Sequence, residues 1–212
     1  MIINYFTYLF ISLSVVAFGF KPPKQKTTAT TNKAFAGLED RLLDAYWKQH
    51  PSDGIFVGYG KYYDKLIIPG NASVASDIVF AKRWLDSLNK VNVSRLSNNN
   101  KISLNIIKNQ LQSDIWYLSV FRRQEWDASL YNISAECDYI LNQPYAPLEK
   151  RLAILTNHLQ HVDDYYKAAT HMLHKPTKEH IELTIRQNQG GAHSFWSCVK
   201  RLHKHFPFRS SG

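Results

Sequence analysis

The stretch spanning residues 148–173 constrains the fold more than any other. Leu152, Leu155, Leu159, Val162, Tyr166, Ala169 and Leu173 recur at alternating spacings of three and four, an apolar seam sustained for three heptads. Side chains at those spacings fall on one face of an α-helix, and a face that long leaves water only by packing against other helices. A single helix over 148–173 is therefore expected, with its seam in a helical core.

The same stretch holds four of the nine histidines, in HLQHVDDYYKAATHMLH (158–174), with two aspartates among them. At roughly 100° per residue, His158 and His161 lie at one edge of the seam and His171 and His174 on nearly the opposite side; the pairs stand about 20 Å apart along a straight helix. No single metal ion collects all four. Each pair alone is His-x-x-His. A hydrolytic zinc site normally takes an i, i+4 histidine pair with a glutamate between them and a third protein ligand. HLQHVDD has neither the spacing nor the glutamate. The histidines read as solvated or boundary residues, leaving His158, His161 and Asp164 as at most a weak adventitious metal site. No catalytic, cofactor-binding or metal-binding residue is assigned.

Helical patterning continues through the chain. Leu38, Leu42, Ala45 and Tyr46 form one stripe, which Pro51 must end. A helix capped by Asn71 or Ser73 carries Val79, Trp84, Leu85 and Leu88. Another runs from about Ile102 to Phe121 through Leu104, Ile107, Leu111 and Leu118, interrupted by Asp114. Pro147 suits the first position of a helix, where its missing N–H has no partner to lose. Thr177, with His180 and Glu182, opens a last helix carrying Ile181, Ile185 and Phe195, which Gly190 and Gly191 are expected to weaken or bend. SDGIFVGYGKYYDKLIIPG (52–70), RRQEWDASLYNIS (122–134) and NQPYAPLEKR (142–151) read as irregular connections. No stretch alternates as a strand does. The expected fold class is all-α, a multi-helix bundle-like assembly with long irregular loops.

The net charge of +9 sits mostly at the ends. Lys21, Lys24, Lys26 and Lys33 have no acid beside them, nor do Lys200, Arg201, Lys204 and Arg209, and only +1 remains between. The body thus lacks the basic footprint of a nucleic-acid binder. The uncharged apolar run from Tyr5 to Phe20 is too short for a comfortable membrane span and suits a signal-peptide core, with Ala17 and Gly19 placing cleavage after Gly19. No Lys or Arg precedes the run, and the lysines after it suit an uncleaved anchor equally well. Export to the periplasm or beyond is the expectation, with anchoring by this segment the alternative; no cysteine follows the run, which argues against lipidation there. The expected organisation is a signal peptide over 1–19, a Pro/Thr-rich linker over 20–33, a helical domain over 34–199 and a basic tail over 200–212. Cys137 and Cys198 form no framework, and structural roles are expected of both.

Other catalytic templates are missing: there is no G-x-S-x-G, no G-x-x-x-x-G-K-[ST] and no G-x-G-x-x-G. VGYGKYY lacks the strand–turn–helix context of a phosphate cradle. Glu125, Asp127, Glu136 and Asp138 read as carboxylates of a solvated turn, and Trp47, Trp84, Trp116, Trp126 and Trp196 as core or loop anchors.

Four segments in order, LLDAYWKQHPSDGIFVGYGKYYDKL, EWDASLYN, YAPLEKRLAILTNHLQHVDDYYKAATHML and PTKEHIELTIRQNQGG, resemble the N-terminal half of a bacterial family known as domain of unknown function 885. The resemblance spans residues 38–196 and is most specific in YAPLEKRL and in the last segment. It implies an exported, largely helical protein roughly two to three times this length, whose later half carries a His-Glu motif and then Pro-Gly-His-His, similar to zincin-type metallopeptidases. No His-Glu dipeptide occurs in this sequence. Zinc is accordingly expected only in that C-terminal half, and none of the family's catalytic residues maps onto a position here. The resemblance implies a non-catalytic helical region that walls a substrate cleft, with a peptide or the C-terminal half as partner. A free-standing helical binding module, using the aromatic segments VGYGKYY and EWDASLYN, is the second expectation, and an enzyme with an unrecognised site the third. A separated N-terminal half would also carry an exposed apolar patch where the other half docks.

Overall fold

In a computed structural model of the chain, residues 28–205 are described, with their side chains described through residue 193. The expected signal or anchor segment (1–19) lies outside the described residues, as do 20–27 and 206–212. The regular structure described is helical throughout: α1 (Thr28–Gln49), α2 (Pro51–Phe56), α3 (Asn71–Asn89), α4 (Asn98–Trp116), α5 (Ser134–Asn142), α6 (Leu148–Gln160), α7 (Val162–Met172) and α8 (Lys178–His205), joined by short 3₁₀ turns. The chain is all-α. No described helix is long and apolar enough to cross a membrane.

Both expected borders of the helical domain move outward. Residues 28–33, expected as linker, are the first turns of α1. The Asn32 carboxamide oxygen accepts the Ser97 N–H at 3.0 Å and the Asn100 Nδ2 at 3.1 Å, so the start of α4 recruits this polar turn into the fold. At the other end, 200–205 of the expected basic tail continue α8.

Pro51 ends α1, as expected, but also opens α2 as its first residue, so the 52–70 segment is not wholly a loop. The residues just after α2 are pinned to α1. The Asp44 carboxylate accepts Tyr59 Oη at 2.7 Å, Tyr62 Oη at 3.0 Å and Lys61 Nζ at 2.5 Å. The Lys61 ammonium and the Tyr59 hydroxyl hold Asp44 down at about 2. Gly58, at φ +76°, makes the left-handed turn that brings those side chains back.

Two cores result. Phe35 and Leu42 of α1, Ala81 and Leu88 of α3, and Leu104, Ile107 and Leu111 of α4 bury one another in the first. Ile55 of α2, Tyr63, Tyr131, Ile140 of α5, Leu155 of α6 and Tyr165, Ala169 and Met172 of α7 form the second. α8 lies against α5 so closely that a Cβ on Gly191 would stand 2.2 Å from Ser134 Cβ. Gly191 therefore permits the contact, and α8 continues unbroken past the Gly190-Gly191 pair that is expected, on helix propensity alone, to weaken or bend it.

The seam helix departs from expectation in an informative way. It breaks at His161 (φ −105°, ψ 3°) into α6 and α7. The buried positions are Leu155, His158, Tyr165, Ala169 and Met172, whereas Leu159 is 38% exposed. Leu159, Val162 and Tyr166 instead line a cavity of about 200 Å³ against Cys137, Asn188 and Gly191. The buried face is thus rotated part of a turn from the apolar seam, with a histidine inside it.

Candidate functional site

The histidines of HLQHVDDYYKAATHMLH separate completely. His158 is fully buried, while His161, Asp164, His171 and His174 are exposed, so the trio His158, His161 and Asp164 does not converge. Among the described residues no group of three His, Cys, Asp or Glu side chains is placed to hold a metal ion.

His158 corrects the expectation of a solvated histidine. Its Nε2 lies 2.7 Å from the Tyr63 carbonyl oxygen, which only accepts, so Nε2 carries a proton and donates it. Its Nδ1 faces Glu136 Oε1 at 3.2 Å, without the alignment of a hydrogen bond. Glu136 is itself 4% exposed, not part of a solvated turn. The pair ties α5, α6 and the segment after α2 together, with no solvent path for a substrate. Its role is structural.

Asp127 is likewise fully buried. Its carboxylate accepts the Ser129 N–H at 2.9 Å, the Ser129 hydroxyl at 2.5 Å and Arg123 Nε at 2.7 Å. Burial pushes this carboxyl up, but the Ser129 hydroxyl and Arg123 guanidinium together hold it below its ordinary value. His180 Nε2 stands 3.8 Å away and His180 Nδ1 lies 2.6 Å from the Thr177 hydroxyl. Hydroxyl, histidine and carboxylate in that order have the connectivity of a nucleophilic triad, but 3.8 Å is not a hydrogen bond. Thr177 immediately precedes α8 and His180 sits in its first turn, so their contact closes the helix terminus. Cys137 is a free buried thiol that burial pushes up to about 12, which removes it as a nucleophile.

The aromatic segments also turn inward. Tyr63 and Tyr131 are buried, and Trp126 donates its indole N–H to the Phe121 carbonyl at 3.2 Å. Trp116 is an exception among the tryptophans, 46% exposed and stacked on Phe121 at 5.3 Å. Trp196 lies where side chains are not described.

One concavity lies between the two cores. A cleft of about 350 Å³ is walled by Tyr46 and His50 from the end of α1, Asp53 from α2, Asp77 from α3 and Asp114 from α4. Its remaining wall is Tyr117 and Leu118, with Arg123, Gln124 and Leu130 beyond them. Tyr117 begins a π-helical turn (Tyr117–Phe121) that continues α4, closed by Arg122 N–H donating to the Tyr117 carbonyl at 2.8 Å. Arg122 ends it at φ 52°. The π-helical turn sets Tyr117 and Leu118 on the wall of the cleft.

Three carboxylates therefore face one chamber from three helices. Asp77 accepts Gln49 Nε2 at 2.6 Å and Asp114 accepts Gln110 Nε2 at 2.8 Å. None of Asp53, Asp77 and Asp114 is in an ion pair with a described residue. Among the described residues of the wall the full cation is Arg123, which is committed to Asp127 at 2.7 Å. Desolvation raises the Asp53 carboxyl first and the Asp114 and Glu136 charges raise it further, opposed by His50; the Asp53 residue is nevertheless open to solvent at the mouth. Desolvation likewise raises Asp77, opposed by the Gln49 amide and His50. The Tyr46 phenol is raised by burial and by Asp114.

A second, apolar groove of about 370 Å³ adjoins the chamber between α1 and α4 and shares Tyr46 and Asp53 with it. Leu43, Trp47 and Ile106 line it, Ile106 being 64% exposed. Nothing in the sequence singles out these residues as a site. Only Asp114, interrupting the apolar pattern of its helix, leaves a trace there.

No family model matches this sequence, and no curated protein matches it. Among solved structures, "a putative lipoprotein of unknown function from Shewanella oneidensis" superposes with a TM-score of 0.77 at 28% identity, over 84% of this chain. This chain spans 32% of the length of that one.

Proposed function

We propose that this chain is the non-catalytic helical region of a longer, exported protein of metallopeptidase-like type, in which it walls part of the substrate-binding space. The observation that supports a longer protein is the match of 84% of this chain to 32% of the length of another, while the metallopeptidase-like type rests on the resemblance of the four sequence segments alone. That neighbour's description as a lipoprotein supports an exported or envelope location. The apolar groove at Leu43, Trp47 and Ile106 supports the reading as well, as a face on which further chain packs or substrate lies.

The described residues of this chain do not fit the zinc that such a protein would use. His158 points into the core, His161 and Asp164 point outward, and no three donors converge among the described residues. No catalytic step is assigned to them. The test is direct: the purified chain, assayed on a mixed peptide library with and without added zinc, is expected to release no new termini. Hydrolysis that a chelator abolishes would overturn the proposal.

A further inference from the structure

We propose that the gap between Glu136 Oε1 and His158 Nδ1 holds a buried proton, which makes closure of the second core a proton-binding step. The proposal does not rest on the proposed function, since it concerns how this chain closes and not what a longer protein does.

Counting donors and acceptors leads to it. His158 Nε2 is committed at 2.7 Å to the Tyr63 carbonyl oxygen, so its proton cannot serve the other side of the ring. In a neutral ring Nδ1 is then a bare acceptor. It stands 3.2 Å from Glu136 Oε1, and an ionised carboxylate is likewise only an acceptor. Both atoms are shut off from solvent, and neither has a hydrogen-bond partner among the described residues. A separation of 3.2 Å leaves no room for a water on the line between them. Two lone pairs facing each other at that distance in a dry core repel, whereas one proton turns the same contact into a hydrogen bond. The last torsion of a glutamate side chain is broad, so the turn that aligns Oε1 with Nδ1 costs little.

The groups around Glu136 do not replace that proton. Asp53 of α2 is raised by desolvation first and, more weakly, by the Glu136 charge. Tyr165 of α7 is raised by burial and then by the same charge. So is Cys137, the next residue of α5. Tyr63 turns only its carbonyl to the ring. Each of these is neutral or negative, so each favours keeping a proton in the gap. Among the described residues no lysine or arginine pairs with Glu136.

The proton belongs to the pair, whichever of the two atoms carries it. An unfolded chain holds it on histidine only below about pH 6.5. The stabilisation is therefore complete below that value. It is lost as pH rises, because the folded chain keeps a proton that the unfolded chain has given up.

The experiment compares the full chain with Glu136→Gln in urea titrations over a range of pH. The glutamine amide donates its own N–H to Nδ1 and needs no proton from solution. Between about pH 7 and about pH 8.5 the folding equilibrium constant of the unsubstituted chain is expected to fall by about tenfold per pH unit relative to that of Glu136→Gln. NMR of the isotope-labelled, unsubstituted chain at about pH 8, where an exposed histidine is neutral, is expected to show a proton on His158 Nδ1 or on the Glu136 carboxyl. That measurement stands even where the variant fails to fold. Parallel stability curves for the two chains, or a neutral His158 ring beside an ionised Glu136 carboxylate, would overturn the proposal.

Discussion

Each ring nitrogen of His158 has one neighbour, and the neighbours fix its chemistry. The Tyr63 carbonyl takes the Nε2 proton, and Glu136 faces Nδ1 at 3.2 Å inside the second core. With one side of the pair removed, the other is left as a polar group far from water. Leaving a buried polar group without its partner typically costs about 1–3 kcal/mol, while replacing both by apolar groups of similar shape is often close to neutral. His158→Ala also empties the volume of the ring and is therefore expected to lower unfolding free energy by about 2–5 kcal/mol in urea titrations. Glu136→Leu combined with His158→Leu recovers much of that, short of about 1–3 kcal/mol for the Tyr63 carbonyl left without its donor. A double variant no more stable than the single one would show that the pair itself is not the source of the stability. This residue is among the most conspicuous in the sequence and still cannot be read from it. Glu136 lies on another helix and Tyr63 is 95 positions away, so nothing in HLQH announces what either nitrogen meets.

Helix existence follows from spacing, because apolar residues at three and four must share a face whichever neighbours they meet. Helix faces are less legible. Leu159 and His158 are adjacent, and counting apolar side chains favours Leu159, yet the chain buries His158 and leaves Leu159 against a cavity. The break at His161 permits it, since α6 and α7 can each turn their own face inward. The Gly190-Gly191 pair misleads for a related reason. Glycine weakens an isolated helix, but here a second helix occupies the space a side chain would need. Gly191→Ala would place a Cβ 2.2 Å from Ser134 Cβ, so α5 and α8 must move apart. Overpacking of that kind costs typically about 1–3 kcal/mol. Thermal melts are expected to show Gly191→Ala destabilised, and Gly191→Ala with Ser134→Gly to regain part of the loss. Ser134→Ala should regain little, because it keeps the offending Cβ. A melt of Gly191→Ala equal to that of the unsubstituted chain would mean the two helices are not held at this separation.

At the scale of the whole molecule, the two cores are joined through a corner that the sequence presents as a solvated loop. The Glu125 carbonyl accepts the N–H groups of His174 at 2.9 Å and Lys175 at 3.1 Å, and the Trp126 carbonyl accepts that of Thr177 at 3.1 Å. Asp127, at the centre, holds Ser129 and Arg123, and Arg123 in turn walls the cleft. The corner is illegible in the sequence because its bonds are mainly backbone ones between segments about 50 residues apart, and backbone groups leave no compositional mark. The cleft is hidden likewise, since its carboxylates come from three helices and each alone looks like a surface aspartate. If Asp127 organises the join, its loss should be felt there first. The Asp127 carboxyl is held below its usual 3.8, so its stabilisation is complete above that ordinary value and is lost as pH falls through the lower folded one. Asp127→Asn is accordingly expected to cost about 1–3 kcal/mol at neutral pH, the exposed half of Arg123 tempering the pair, with the difference from the unsubstituted chain shrinking in acid. Hydrogen exchange locates the effect. Amides of His174, Lys175 and Thr177 are expected to exchange faster in Asp127→Asn, while those of Leu104, Ile107 and Leu111 in the first core keep their protection. Equal acceleration in both places would mean that the cores open as one unit and that the corner is no separate joint.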